Sequence, residues 1–408
     1  MKNKSDKPLS TKGDSAPTPP VPAKTGYSDV ARVAVQETAA RVQEMHQAIA
    51  GKSFDVLTRI PIVSGPAALA KAVHDAISGG VYAAIHHGSA SVLGAASMIE
   101  RNLPAGDNEG APNRTVSSVR SALNAAFGDH FAGTNNVLAI AMGIYVDGRE
   151  VPLSSETLLA AFPGGGKRLC LLMHGLAFDE HCWDSGDEPD KTGFAPQLER
   201  DFGYTTLYLR YNTGLPIDDN GTRLAILLEQ LLATWPEPVE ELLLIGHSMG
   251  GLIGRNACEQ AAAAGLVWPQ LASMLICLGS PHLGSPWERL GHATNTALQL
   301  SEITAPLGRI AAARSQGIKD LRHGPEADDA TPHDIAFRFL GSTMTDDIDH
   351  PLAEWFGDGL VTLGSSTSHP IAGDVKSIRL GGIGHMALLT EPRVYAQISQ
   401  WLEELDHG

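Results

Sequence analysis

The chain has 408 residues, 43% of them hydrophobic and 19% charged, and carries a formal net charge of −16. This length and composition suit a globular protein with a substantial core in one or two domains. The acidic balance excludes nucleic acid as the expected partner, because phosphate binding needs clustered Lys and Arg, and leaves neutral substrates such as esters open.

Residues 1–27 are polar and Pro-rich without an apolar core, which predicts a disordered tail and not a secretory leader. No run reaches the roughly 18 apolar residues that a membrane-spanning helix needs, so no transmembrane segment is expected. From Ser28 to about Ala50 the sequence reads as a helix, with Ser28 as its N-cap and Val42, Met45 and Ile49 on one face. Leu69, Val73 and Ile77 recur at helical spacing, and Val81 and Ile85 follow the break at Gly79-Gly80. A third segment places Val116, Val119 and Leu123 together. Residues 28–134 are therefore expected to form an N-terminal helical region. Its role stays open between a helical cap, an oligomerisation surface and an arm that touches membranes or granules, with packing as the default. His74, His86 and His87 lack the Cys or acidic company of a metal site and are read as packing or surface residues.

From about Asn135 the pattern changes. Two short strands flank Asp147-Gly148, a hairpin signal. Lys167–Leu176 reads as a buried strand ending in a loop at His174-Gly175-Leu176, and Thr205–Gly214 as an alternating strand that runs into turn residues. A helix then carries Leu224, Leu227, Leu228 and Leu231 on one stripe. Leu242 to Ile245 is a continuous apolar run, followed by Gly246-His247-Ser248-Met249-Gly250 and a helical stretch ending at Gly265. A G-x-S-x-G between a buried strand and a helix is the context of a nucleophile elbow. Ser248 is expected as a nucleophile, with strained dihedrals at a turn that Gly246 and Gly250 leave open to close backbone approach.

Further strands are expected around Leu271–Pro281, Asp334–Ser342 and Val375–Leu380, and a closing helix has Val394, Ile398, Trp401 and Leu402 on one face. Strands alternating with helices predict an α/β class with a mainly parallel sheet covered on both faces, over residues 135–408. Cys170, Cys258 and Cys277 fall in predicted core elements and Cys182 in a loop. All four are expected to be reduced, and the protein cytoplasmic; a disulfide would require another compartment.

A nucleophilic serine needs a base, and the base an orienting acid. In the order serine, acid, histidine, the base is His385, in a glycine-rich loop directly after the last strand, ahead of His282, His350 and His369. The acid is Asp358, between two glycines, with Asp346, Asp347 and Asp349 as competitors. The backbone amides of Met249 and Leu176 are the expected oxyanion donors. His174, Gly175, His247, His282 and Leu283 are expected around the substrate, although His174 also fits a purely structural bond within its turn. No cofactor and no metal is expected.

Taken together, Leu171–Trp183, Leu209–Gly214, Leu244–Gly251, Leu278–Pro286, Gly357–Val361 and Gly384–Leu389 resemble a bacterial α/β-hydrolase of the lipase/esterase type, and are similar to the GPI inositol-deacylase-like lipases. The resemblance runs from about Asn135 to the C-terminus. It implies an α/β-hydrolase fold with Ser248, Asp358 and His385 as nucleophile, acid and base, and it leaves the substrate open. Calcium and export, frequent in such lipases, are not carried over, since neither a leader nor a calcium loop is visible. About fifty residues separate Pro286 from the Asp334 strand, too long for an ordinary connection, so an insertion at about 286–332 is expected as a lid or as the wall of an acyl pocket, with a rigid cap as the alternative.

The expected activity is hydrolysis of carboxylic esters, small or lipid-like, through an acyl-enzyme. An amidase, thioesterase or acyltransferase on the same fold is the nearest rival, and a catalytically silent binding protein a more distant one. Peripheral membrane contact and the oligomeric state are left open.

Overall fold

The apolar runs read as buried strands all join one sheet. In the computed structural model β1 (Gly143–Val146), β2 (Arg149–Val151), β3 (Arg168–Met173), β4 (Thr205–Arg210), β5 (Glu241–His247), β6 (Ala272–Leu278), β7 (Ala336–Thr343) and β8 (Val375–Gly381) lie in the order β2-β1-β4-β3-β5-β6-β7-β8. β1 runs antiparallel to β2 and β4, and the other pairings are parallel. At the β1–β2 hairpin, Asp147 (φ 49°) and Gly148 (φ 76°) both take left-handed backbone, as a tight two-residue turn between twisted strands requires. The structure describes residues 114–133, 135–136, 138–184, 193–285, 315–323, 334–351, 353–367, 371 and 373–406. The expected tail 1–27, the helices read before residue 100, His74, His86, His87, His369 and most of the 286–332 insertion lie outside the described residues, as do the Val116 and Val119 side chains.

Alternation along β3 divides the core. Leu169, Leu171 and Met173 face the side covered by α4 (Ile217–Thr234) and α5 (Met249–Ala264), where Leu224, Leu228, Leu231, Leu252 and Ile253 are buried. Cys170 and Leu172 face the opposite side, covered by α3 (Phe194–Phe202) and α9 (Pro392–Asp406) through Leu198, Val394, Ile398, Trp401 and Leu402. Both faces of a parallel sheet are thus buried, which is why its strands read as continuous apolar runs and not as alternating ones. This is the α/β-hydrolase fold. The four cysteines are free, with Cys182 in a short 3₁₀ turn, Glu180–Trp183. No helix among the described residues is long and apolar enough to cross a membrane.

α1 (Arg114–Gly133) belongs to the segment expected as the N-terminal region, yet it seats directly on the loops beyond β3 and β4. Leu123, Phe127 and Phe131 pack on Leu138, and Asn124 accepts from Ile140 N–H while donating to the Leu138 carbonyl. Ser117 donates to the buried Asp179 carboxylate at 2.6 Å, and the Asn212 amide donates to the Gly128 carbonyl at 2.9 Å. A boundary at residue 135 would separate a helix from the surface that buries it.

Candidate active site

The elbow begins with close packing. A Cβ on Gly246 would lie 2.3 Å from the Gly251 nitrogen, and one on Gly250 would lie 2.4 Å from the Met173 carbonyl oxygen. Only glycine lets α5 start this close to β5 and β3. Between them Ser248 is forced to φ 54°, ψ −118°, a left-handed backbone that costs a non-glycine residue on the order of 1–3 kcal/mol. Met249, fully buried, opens α5, where the first amides of a helix have no carbonyl one turn back to bond.

Asp358 and His385 meet from the loops after β7 and β8. Asp358 sits in a tight turn between Gly357 (φ 51°) and Gly359 (φ 98°). Its Oδ1 accepts from the amides of Leu360 (2.9 Å) and Val361 (2.8 Å), and its Oδ2 accepts the Nδ1–H of His385 at 2.7 Å. The His385 amide also donates to the Asp358 carbonyl at 2.9 Å. Both side chains are buried. With Nδ1–H committed to the carboxylate, Nε2 is the nitrogen left to take or give a proton. Asp346, Asp347, Asp349 and His350 are exposed. His282 is buried edge-on against Phe339 at 4.7 Å.

Ser248 and His385 line one cleft, enclosing about 400 Å³ with open solvent included, together with Gly175, Leu176, Phe178, His247 and Leu321. Of the residues expected around the substrate, His174, His282 and Leu283 are absent from this lining. His174 is fully buried, stacks on Tyr211 at 4.3 Å, donates from Nδ1 to the Gly175 carbonyl and accepts the Tyr211 amide at Nε2. Burial pushes its pKa down to about 4, so it stays neutral and serves as a spacer behind the loop, the structural alternative read from the sequence. Leu283 is 58% exposed.

Sequence reasoning missed three contributors. Ala177, next to Leu176, has φ 66°, and its amide donates to Thr213 Oγ1 at 3.3 Å, so a hydroxyl from the loop after β4 holds a strained turn after β3. Glu180 and Arg210 form a buried bidentate ion pair, with Arg210 also over the Tyr145 ring at 4.3 Å, and this fixes the 3₁₀ turn that follows. Gly279 (φ 59°) lies where a Cβ would come within 3.1 Å of Asp358 Oδ2 and 3.3 Å of His385 Cε1. The first two act across long sequence separations and leave no local pattern; a glycine ending an apolar strand was the available signal for the third.

The described part of the insertion, α6 (Gln316–His323), buries Ile318 and Leu321. It is tied down by Gly317 N–H to the Gly214 carbonyl, Ile217 N–H to Asp320, and Ser285 N–H to the Leu321 carbonyl. Through Leu321 that portion lines the cleft. Among the described residues no group of three or more His, Cys, Asp or Glu side chains is placed to hold a metal ion.

A model of the PGAP1-like alpha/beta domain family matches residues 224–306, a stretch that contains the elbow but neither Asp358 nor His385. A search of curated proteins gives no match. Among solved structures the chain is similar to the Bacillus licheniformis lipase BlEst2 in mature form (19% identity, 58% of this chain and 92% of that one, TM-score 0.42). It is also similar to the RedJ thioesterase of the prodiginine biosynthetic pathway in Streptomyces coelicolor (14%, 58% and 91%, 0.38) and to the naproxen esterase of Bacillus subtilis (13%, 58% and 83%, 0.32).

Proposed function

We propose that this chain is a serine hydrolase that cleaves carboxylic esters, small or lipid-like, by way of an acyl-enzyme. The observation that carries the reading is the buried 2.7 Å bond between His385 and Asp358, opening on the same cleft as a serine held at φ 54°. In this mechanism His385 Nε2 takes the Ser248 proton as Oγ attacks the ester carbonyl carbon. Asp358 holds the imidazole in the Nδ1–H tautomer and stabilises the imidazolium. The Met249 amide, at the positive end of α5, and the Leu176 amide bind the oxyanion. His385 then protonates the leaving alkoxide, and water deprotonated by the same nitrogen releases the acid and regenerates Ser248. The chemistry needs no cofactor. Leu176, Phe178, Pro281, Leu321, Leu360 and Val361 make the cleft wall mainly apolar, which suits an acyl chain.

The test is hydrolysis of p-nitrophenyl esters of increasing chain length, beside matched thioesters and anilides, by wild type and Ser248→Ala. Ester turnover lost in the variant by about 10⁶-fold, or to background, is expected. Anilides or thioesters preferred over every ester would move the assignment to the rival chemistries. Wild-type protein that neither turns over any substrate nor is labelled at Ser248 by a fluorophosphonate would overturn it.

A further inference from the structure

His247 ends β5, immediately before Ser248, and its ring is 1% exposed. Its Nε2–H donates to the main-chain carbonyl of His385 at 3.1 Å, and the two rings lie 4.6 Å apart at 49°. On the other edge, a Cβ placed on Gly175 would lie 3.1 Å from His247 Nδ1, so the imidazole fills the space between the Gly175-Leu176 loop and the His385 loop. Nδ1 has no hydrogen-bond partner among the described residues, which matches a ring held by one directed bond and by packing. Burial, with His385 close by, pushes its pKa well below the ordinary histidine value and keeps the ring neutral, with its single proton on the nitrogen that faces the His385 carbonyl.

The direction of the ties matters. The His385 amide and Nδ1–H both go to Asp358, which fixes the imidazole relative to the acid. They do nothing to fix it relative to the nucleophile, which rides on a different strand. We propose that His247 is a positioning residue that ties the main chain of the base His385 to the strand carrying Ser248, setting the serine-to-imidazole distance. The assignment rests on the serine-hydrolase reading above. His247 touches no reacting atom in it, and it acts by holding the loop in register, where a misplacement of about 1 Å costs on the order of 100-fold in rate.

The experiment compares wild type with His247→Gln, whose Nε2 can reach the same carbonyl, His247→Asn, whose amide falls near the Nδ1 position, and His247→Phe, which keeps a ring without a donor. Readouts are the rate of fluorophosphonate labelling at Ser248, kcat and KM on the best p-nitrophenyl ester, and Tm. The expected pattern is labelling and kcat lowered about 10- to 100-fold in the Phe and Asn variants with KM changed by less than about twofold, and largely restored in the Gln variant. If the Phe variant does not fold, the Gln and Asn pair decides alone. Equal loss in Gln and Asn, or full activity in Asn, overturns the assignment while Ser248→Ala still shows the hydrolase reading intact. Unlabelled, inactive wild type overturns both.

Discussion

The two sides of the cleft are built in opposite ways. On the side proposed to supply acid and base, Asp358 and His385 are bonded within a single stretch of chain: the carboxylate is bonded by amides two and three residues on, and by the histidine 27 residues on. On the other side, the Gly175–Phe178 loop is held from a distance. Thr213 reaches Ala177, Tyr211 Oη donates to the His174 carbonyl, Arg210 pairs with Glu180, and Ser117 on α1 donates to Asp179. Asp358 and His385 are bonded mainly within their own stretch of chain, with His247 on β5 bonding the His385 carbonyl from outside it, whereas the Gly175–Phe178 loop takes its ties from β4, the loop after it and α1. Changes on the first side should therefore fall on chemistry, and changes on the second should divide between stability and rate.

The largest effect is expected from Asp358→Asn, which keeps the shape but lets the imidazole adopt the wrong tautomer. A loss of about 10³- to 10⁴-fold in kcat with little change in KM or Tm would be read in steady-state kinetics. If Tm drops instead while kcat holds, the acid–base side is structural and the contrast fails. On the opposite side, Arg210→Met strands a buried carboxylate on Glu180, and about 3–5 kcal/mol of unfolding free energy should be lost in urea titration. The double variant with Glu180→Leu should recover most of it, since a packed apolar pair replaces the ion pair; no recovery would mean that the Tyr145 stacking contributed more than the charges. The smallest effect is expected from Thr213→Val. Loss of the 3.3 Å bond to Ala177 should lower kcat/KM by about fivefold, following the roughly 1 kcal/mol worth of one neutral hydrogen bond, with Tm nearly unchanged. A rate unaffected by this variant would show that strain at Ala177 is absorbed without help from β4.

The same contrast explains what could be read from the sequence. Buried strands, the elbow and the loop histidine are encoded in contiguous residues: an apolar run, a G-x-S-x-G, a glycine-flanked aspartate. The mainly parallel sheet with both faces covered and the pairing of Asp358 with His385 follow from such patterns, while the strand order does not. Thr213, Arg210 and Ser117 carry no pattern, because a threonine in a turn or an arginine at a strand end acquires its partner only when the sheet brings together segments 30 to 62 positions apart. For the same reason the sequence placed a boundary at residue 135, between a helix with its own periodicity and a hairpin with a different one. The contacts of α1 with Asp179 and Asn212 run across that line. His174 had both readings open, and the choice was made by Tyr211, which lies 37 positions away.

The position of Asp358 and His385 on the loops flanking β8, the strand at one edge of the sheet, has a consequence in time as well as in space. During synthesis Ser248 and the Gly175–Phe178 loop leave the ribosome well before Asp358 and His385. The elbow can then be in place while the cleft still lacks both Asp358 and His385. On the serine-hydrolase reading, pairing of β8 with β7, the outermost parallel contact, is thus the event that brings the base to the nucleophile. On that reading, a chain made only as far as β7 would carry the nucleophile without the means to use it.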